Sequence, residues 1–295
     1  MALADFIPTI WSARFTSRLY PNWVYANLCN RNYEGEIAER GNKVTIPTAE
    51  TNITVGDYEI GSDIAAAQQT DGGTQELIVD QQKYFHFIVE DITRVQSAPN
   101  VLDENMDIAA RRIAGTVDGF LKGVFEGAFD ASRAINSATA ADATGETILA
   151  SFIAMRRLMT ENHIPLMMRW AVIHPRILEK IENHFITQGG AAAGVFAPAT
   201  ADSVVRGGFS GNLLGFDLYV TTEVPLSGAG AAQKYRCACG QGMLGVTFAE
   251  QITEIEAYRP ERRFGDAIKG LYVYGAKAVE PKYVFYNEFD NPAAG

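Results

Sequence analysis

No apolar run in this chain reaches the roughly 18 residues that a membrane-spanning helix needs, so the sequence offers no membrane span and a membrane partner is not expected. Positive charge is in short supply: 25 Lys and Arg stand against 35 Asp and Glu, a net charge of −10. That balance argues against a general nucleic-acid binder, which presents a basic face, although an acidic protein can lie beside nucleic acid without adhering to it. Cysteine is scarce. Cys29, Cys237 and Cys239 are odd in number, and Cys-Ala-Cys is a poor disulfide framework, so a reducing cytoplasm is expected. The opening MALADFIPTIW has no basic stretch ahead of an apolar core, and no secretory signal is expected.

Catalytic signatures are missing as well. Gly208-Phe209-Ser210-Gly211-Asn212 lacks the last glycine of a nucleophile elbow, and no phosphate-binding Walker loop occurs. Gly240-Gln241-Gly242-Met243-Leu244-Gly245 does match GxGxxG, but a dinucleotide site requires a helix next, and the following VTFAEQITEIEAY alternates like strands. Cys237 and Cys239, with His163, His174 and His184, match no usual zinc spacing and read as ordinary buried cysteines. His86 reads as a partly buried sheet residue rather than a ligand. No catalytic residue, metal or cofactor is expected.

What the sequence does contain is extended. At 295 residues and 47% apolar composition it can bury a sizeable core, in about two domains. Lys43–Thr48 alternates as a strand. Thr74–Thr93 reads as a return strand with Leu77, Val79, Phe85, Phe87 and Val89 on one face. Its fifteen or so residues would make an arm of roughly 50 Å. Between and around these strands lie seven acids, Glu50, Asp57, Glu59, Asp63, Asp71, Glu76 and Asp80, with no base from Val44 to Gln82. From Asn100 to Asp130 the apolar positions Leu102, Met106, Ala109, Ile113, Val117, Phe120 and Val124 keep helical period, a rod roughly 45 Å long. Gly115, Gly119, Gly123 and Gly127 recur along one stripe, which suggests a close neighbour; fraying at the helix end is the alternative. Residues 131–147 are small and polar and read as a linker. An α/β section follows, then long strands near the end.

Such an arm and rod cannot bury their faces alone, which points to self-assembly. Residues 1–40 add aromatics without steady period, among them Trp11, Trp23 and Tyr25. They either pack on their own domain or anchor on a neighbour, where Trp and Tyr are favoured.

FIPTIWSARF near the start, YEGEIAERGNKVTIPT before the acidic loop, LLGFDLYVTTEVP in the middle and YRPERRFGDAIKGLYVYGAKAVEP near the end together resemble, in order, the tailed-bacteriophage major capsid proteins of the Hong Kong 97 type. The resemblance implies an α+β fold with an N-terminal arm (1–40) and an extended β-hairpin loop (41–85). A peripheral domain with a long spine helix would take 86–147 and 259–295, and an axial α/β domain 148–258. It implies hexamers and pentamers closing into an icosahedral head around double-stranded DNA. A separate scaffolding protein, a portal and a decoration protein are the implied partners, with assembly in the host bacterial cytoplasm. Some members cross-link subunits through a lysine in the extended loop; none lies between Lys43 and Lys83 here. An encapsulin-type compartment is the alternative within the fold, and a dinucleotide-binding enzyme the alternative outside it. The expected subunit contacts are Trp11, Trp23 and Tyr25 of the arm, Glu50, Asp57, Glu59, Asp63 and Asp71 of the loop, and the receivers Arg259, Arg262 and Arg263 or Arg111 and Arg112.

Overall fold

The structure, a computed structural model, describes residues 19, 23–33, 43–48, 55–58, 60, 63, 66, 73–90, 101–136, 144–188, 211–228 and 233–290. Among them run β1 (Lys43–Thr48), β2 (Gly73–Ile78), β3 (Gln81–Glu90), α1 (Val101–Gly127), β4 (Ala134–Asn136), α2 (Gly145–Glu161), β5 (Arg169–Ile173), α3 (Pro175–Gln188) and β6 (Asn212–Leu213). The chain continues through β7 (Phe216–Val220), β8 (Leu226–Ser227), β9 (Lys234–Gln241), β10 (Val246–Tyr258), β11 (Gly265–Ala278) and β12 (Val284–Asp290).

The long rod forms as its periodicity requires. Met106, Ala110, Ile113, Val117, Leu121 and Phe125 are buried along one meridian of α1, at steps of three and four. Phe120 and Val124, expected on that meridian, flank it half-buried, and Phe120 meets Tyr274 edge-on with centroids 5.3 Å apart.

The Thr74–Thr93 run is two strands, not one. β2 pairs antiparallel with β1 and forms a two-stranded arm, whereas β3 joins the three-stranded sheet β10-β11-β3. The break falls at Val79–Asp80, where Gly275 of β11 passes so close that a Cβ there would stand 2.2 Å from the Ile78 carbonyl oxygen. The alternation itself is as read: Leu77, Val79 and Val89 are buried, and Ile78 and Tyr84 face outward.

The third sheet has the order β4-β12-β9-β5-β7-β6, with β8 paired to β9. One of its faces packs α2 and α3 through Ala171, Ile173, Cys237, Cys239 and Phe285; the other turns Trp170, Val172, Ala238 and Val284 toward α1. Phe125 meets Trp170 edge-on at 5.7 Å, so α1 is shared between the two larger sheets. Strand pairing also divides the chain differently from the expected boundary at 258/259. β10 belongs with β3 and β11, while β12 returns to β9 and β4. The supposed linker contributes β4, whose three residues pair parallel to β12.

Candidate assembly surfaces

Trp23 and Tyr25 are not available to a neighbouring subunit. At 3% and 0% exposure they sit in their own chain's core, Trp23 edge-on to Phe248 at 5.9 Å and Tyr25 against Phe125 at 5.4 Å. The segment that holds them is fixed at a second point, where Asn30 donates to the Val246 carbonyl (2.8 Å) and accepts from Phe248 N–H (2.9 Å). Apolar burial favours the nearest core, and α1 and β10 supply one within the chain. Trp11 lies outside the described residues, as do Glu50, Glu59 and Asp71.

Exposed apolar side chains occur in the loop between β1 and β2. Val55, Tyr58 and Ile60 stand 92%, 68% and 98% exposed, and Asp57 and Asp63 beside them are exposed too. At the root of the loop Glu76 already has a partner, Lys43 of β1, at 2.5 Å. The acids left to the tip therefore have no base of their own arm near in sequence.

Two basic places face outward. The β10–β11 tip presents Arg259, Arg262 and Arg263 as exposed residues, next to Phe264 at 85% exposure. Its root is tight: a Cβ on Gly265 would lie 2.5 Å from the Val89 carbonyl oxygen of β3. The second place is a cleft of about 560 Å³ between β3 and α1, lined by Lys83, Phe85, Phe87, Ile108 and Arg112 among others. Arg111 and Arg112 are exposed, and Arg111 Nε donates to the carbonyl of Asp107 one turn back (3.3 Å). β3 is the last strand of its sheet among the described residues, so its outer backbone edge runs along this cleft. Among the described residues, neither Asp57 nor Asp63 forms an ion pair with Arg111, Arg112, Arg262 or Arg263 within one chain.

The outer face of the three-stranded sheet is polar and aromatic. His86 is exposed there, not partly buried, and shares a hydrogen bond of 2.9 Å with the Tyr258 hydroxyl; Lys269 pairs with Glu256 at 2.7 Å. A further apolar platform escaped the sequence reading. Leu166, Met167 and Met168 precede β5, and Met243 and Leu244 sit in the β9–β10 turn, all 47–78% exposed. Gly242 N–H donates to the Met168 carbonyl at 2.8 Å and joins the two loops. Met168 sits at φ 58°, in the left-handed region that few side chains adopt, and its neighbour Arg169 ties the preceding loop to α2. That guanidinium is 1% exposed and donates to the carbonyls of Ile164, Pro165 and Arg156 and to Thr160 Oγ1 at 2.6–3.1 Å. The signal was the uncharged string Ile164–Met168, which period-based reading passes over because it is neither helix nor strand.

The chemistry looked for elsewhere resolves into packing. Gly240 lies flat against the Trp170 ring, where a Cβ would come within 2.4 Å, and Gly242 turns the chain at φ 54°. Strand β10 follows, so GxGxxG is a strand-to-strand turn. Cys237 and Cys239 point into one core, and burial pushes the Cys237 thiol up to about 12. Among the described residues no group of His, Cys, Asp or Glu is arranged to hold a metal ion. Among the described residues the glycine stripe of α1 has no close neighbour either. No described atom lies within 4 Å of a Cβ built at Gly115, Gly123 or Gly127, and Gly119 meets only Glu223 at 3.9 Å.

The phage capsid protein family matches residues 73–287. No curated protein sequence matches the chain. Among solved structures, one from Mycobacterium phage Che8 is 24% identical with a TM-score of 0.65, each chain covered over 90% of its length. The capsid of cyanophage P-SCSP1u is 13% identical with a TM-score of 0.68, covering 90% of this chain and 87% of that one. The mature capsid of bacteriophage PhiM1 is 11% identical with a TM-score of 0.63, covering 90% and 86%. Neither the encapsulin-type compartment nor the dinucleotide-binding enzyme is favoured by these likenesses. A spine helix shared between two sheets, an outlying two-stranded arm and a match over most of the length together show that this chain belongs to the phage capsid protein family, with the Hong Kong 97-type fold of a tailed-phage major capsid protein.

Proposed function

We propose that the chain builds the hexamers and pentamers of an icosahedral head enclosing double-stranded DNA, and that the copies join through outlying elements rather than through one flat face. The exposed loop tip carries this reading. Val55, Tyr58 and Ile60 gain free energy only when something covers them, and Tyr is a favoured anchor at interfaces. The receiver of matching charge is the β10–β11 tip of a second copy, where Arg262 and Arg263 flank exposed Phe264; the cleft bearing Lys83 and Arg112 is the second reading. Each exposed ion pair contributes only about 0.2–1 kcal/mol. Repeated around a shell, such weak contacts favour closure and still let misplaced subunits leave. The uncharged Leu166–Met168 platform, held stiff by Arg169, offers like-charged copies a meeting point free of acids.

The role is structural, with no catalytic step and no cofactor. Packaged DNA is touched without sequence preference, in keeping with a net charge of −10. A separate scaffolding protein, a portal and a decoration protein complete the particle, which assembles in the host cytoplasm. Charge reversal tests the loop contact. Arg262→Glu with Arg263→Glu blocks assembly on a sucrose gradient, and Asp57→Lys with Asp63→Lys partly restores it. Normal assembly of the reversed arginines moves the contact to the cleft. Normal assembly of a Lys83→Glu, Arg112→Glu chain as well would end the electrostatic account.

A further inference from the structure

One histidine holds the start of a helix in a way that only its neutral ring can. α3 opens at Pro175, a residue whose missing N–H and fixed φ suit the first helical position. His174 stands just before it. Its carbonyl accepts the first bonds of the helix, from Ile177 N–H at 2.9 Å and Leu178 N–H at 3.2 Å. Its ring Nδ1 accepts the Arg176 backbone N–H at 3.2 Å, one of the donors that a helix leaves without a partner of its own. The ring thus does what an Asn or Asp side chain does at an N-cap. A backbone N–H can only donate, so Nδ1 carries a lone pair and the proton of the neutral ring sits on Nε2.

The groups around the ring come from two elements. From β9, Tyr235 lies nearly parallel to it, with centroids 4.4 Å apart and planes at 19°, and Cys237 takes up the His174 backbone N–H. From α3, Arg176 sets a second positive charge beside it. A proton on Nδ1 would turn the acceptor into a donor that faces a donor. It would also put a cation at the positive end of the helix dipole. Tyr235 is the one of these neighbours whose ring face favours a cation. The opposing effects prevail: burial first, then Arg176, holds the imidazole below the usual histidine value.

We propose that His174 is an acid-released cap: its neutral ring holds the first turn of α3 beside β9, and proton uptake on Nδ1 frees that turn. Geometry alone sets the direction, because the capping bond exists only in the neutral form. Linkage gives the window. The capped form binds the proton less tightly than the released form, so the stabilisation is whole above the ordinary histidine value of about 6.5 and is lost as pH falls below it. Ile177 lies in the same turn and is buried with Ile181 in the core between α3 and the third sheet, so release of the cap loosens an edge of that core. The device belongs to the single subunit and does not depend on which surfaces meet in the shell.

Hydrogen exchange read by mass spectrometry on the full-length, unassembled chain tests it, with His174→Asn measured beside the wild type at each pH. Asparagine is a strong N-cap with no proton to gain, and comparison at one pH cancels the intrinsic pH dependence of exchange. Between about pH 7.5 and about pH 5, protection of the peptide spanning Arg176–Leu178 in the wild type should fall about fivefold relative to His174→Asn, the ratio that loss of one N-cap of typical strength gives. His174→Ala, uncapped throughout, should start below the wild type at the higher pH and meet it at the lower. A wild-type to His174→Asn ratio that does not change with pH overturns the proposal, and so does a ratio that moves the other way. Should the asparagine variant fail to fold, the ring of His174 followed by NMR in the wild type decides: a titration midpoint at or above about 6.5 overturns the proposal.

Discussion

Replacing Gly115 and Gly123 by alanine together should stabilise the isolated subunit. Both glycines lie inside α1 on its exposed side, and a Cβ at either meets no described atom within 4 Å. Alanine in place of glycine in a helix interior is worth about 0.8–1.0 kcal/mol, because it limits the unfolded backbone and loses nothing in the helix. Two such sites give about 2 kcal/mol, and at roughly 2–4 °C per kcal/mol for a large domain the melting temperature rises by about 4–8 °C. Gly275→Ala is the matched control with the opposite sign. Its Cβ would stand 2.2 Å from the Ile78 carbonyl oxygen and 2.7 Å from Val79 Cα, both backbone atoms that cannot rotate aside. Overpacking of that kind costs about 1–3 kcal/mol and here would fall on the junction between the β1–β2 arm and β11. Urea unfolding followed by tryptophan fluorescence reads both changes on one scale. A destabilised Gly115→Ala, Gly123→Ala subunit would refute the open stripe, and a neutral Gly275→Ala would refute the close crossing.

Other outcomes follow from single sites. Arg169→Met should destabilise by about 1–3 kcal/mol, because the buried Ile164 carbonyl and the Pro165 carbonyl lose their guanidinium donor, and Arg169→Lys should not rescue it, since one ammonium cannot span four acceptors; thermal melts check both. Cys237 should resist thiol reagents in the folded subunit near pH 8, because its thiol is pushed up to about 12 and is buried, and should label fully in denaturant. Particles boiled in reducing detergent should release one band near 32.2 kDa, as no lysine is available in the loop for a cross-link.

Period and composition carried much of the fold. The α1 rod, the α/β section after it and the long strands near the end were legible, because burial of one face imposes 3.6- or 2-residue spacing. The break at Val79–Asp80 was not, because both halves keep the same odd-numbered apolar face and the interruption comes from Gly275, almost 200 residues away. The return of β12 to β9 was hidden for the same reason: pairing partners leave no mark on local pattern. Trp23 and Tyr25 were readable as anchors, either on their own domain or on a neighbour, and a segment without steady period could not decide between the two; the structure packs them on Phe248 and Phe125 of their own chain. The role of Asp118 left no mark on the local pattern of α1, because the three backbone N–H groups that it accepts, from Val24, Tyr25 and Ala26, come from another segment. Of the candidate surfaces, the charge at Arg262 and Arg263 was read directly from the sequence, whereas the Leu166–Met168 platform depends on a loop whose Ile164 and Pro165 carbonyls are held by a buried arginine.

The central claim is that this chain is a shell-forming subunit. Sedimentation velocity on the purified full-length chain, with negative-stain microscopy of the same fractions, tests it directly. Capsomers and closed shells of megadalton mass are the predicted result. A species that stays a monomer or small oligomer at every concentration, with no rings or shells on the grid, would contradict it.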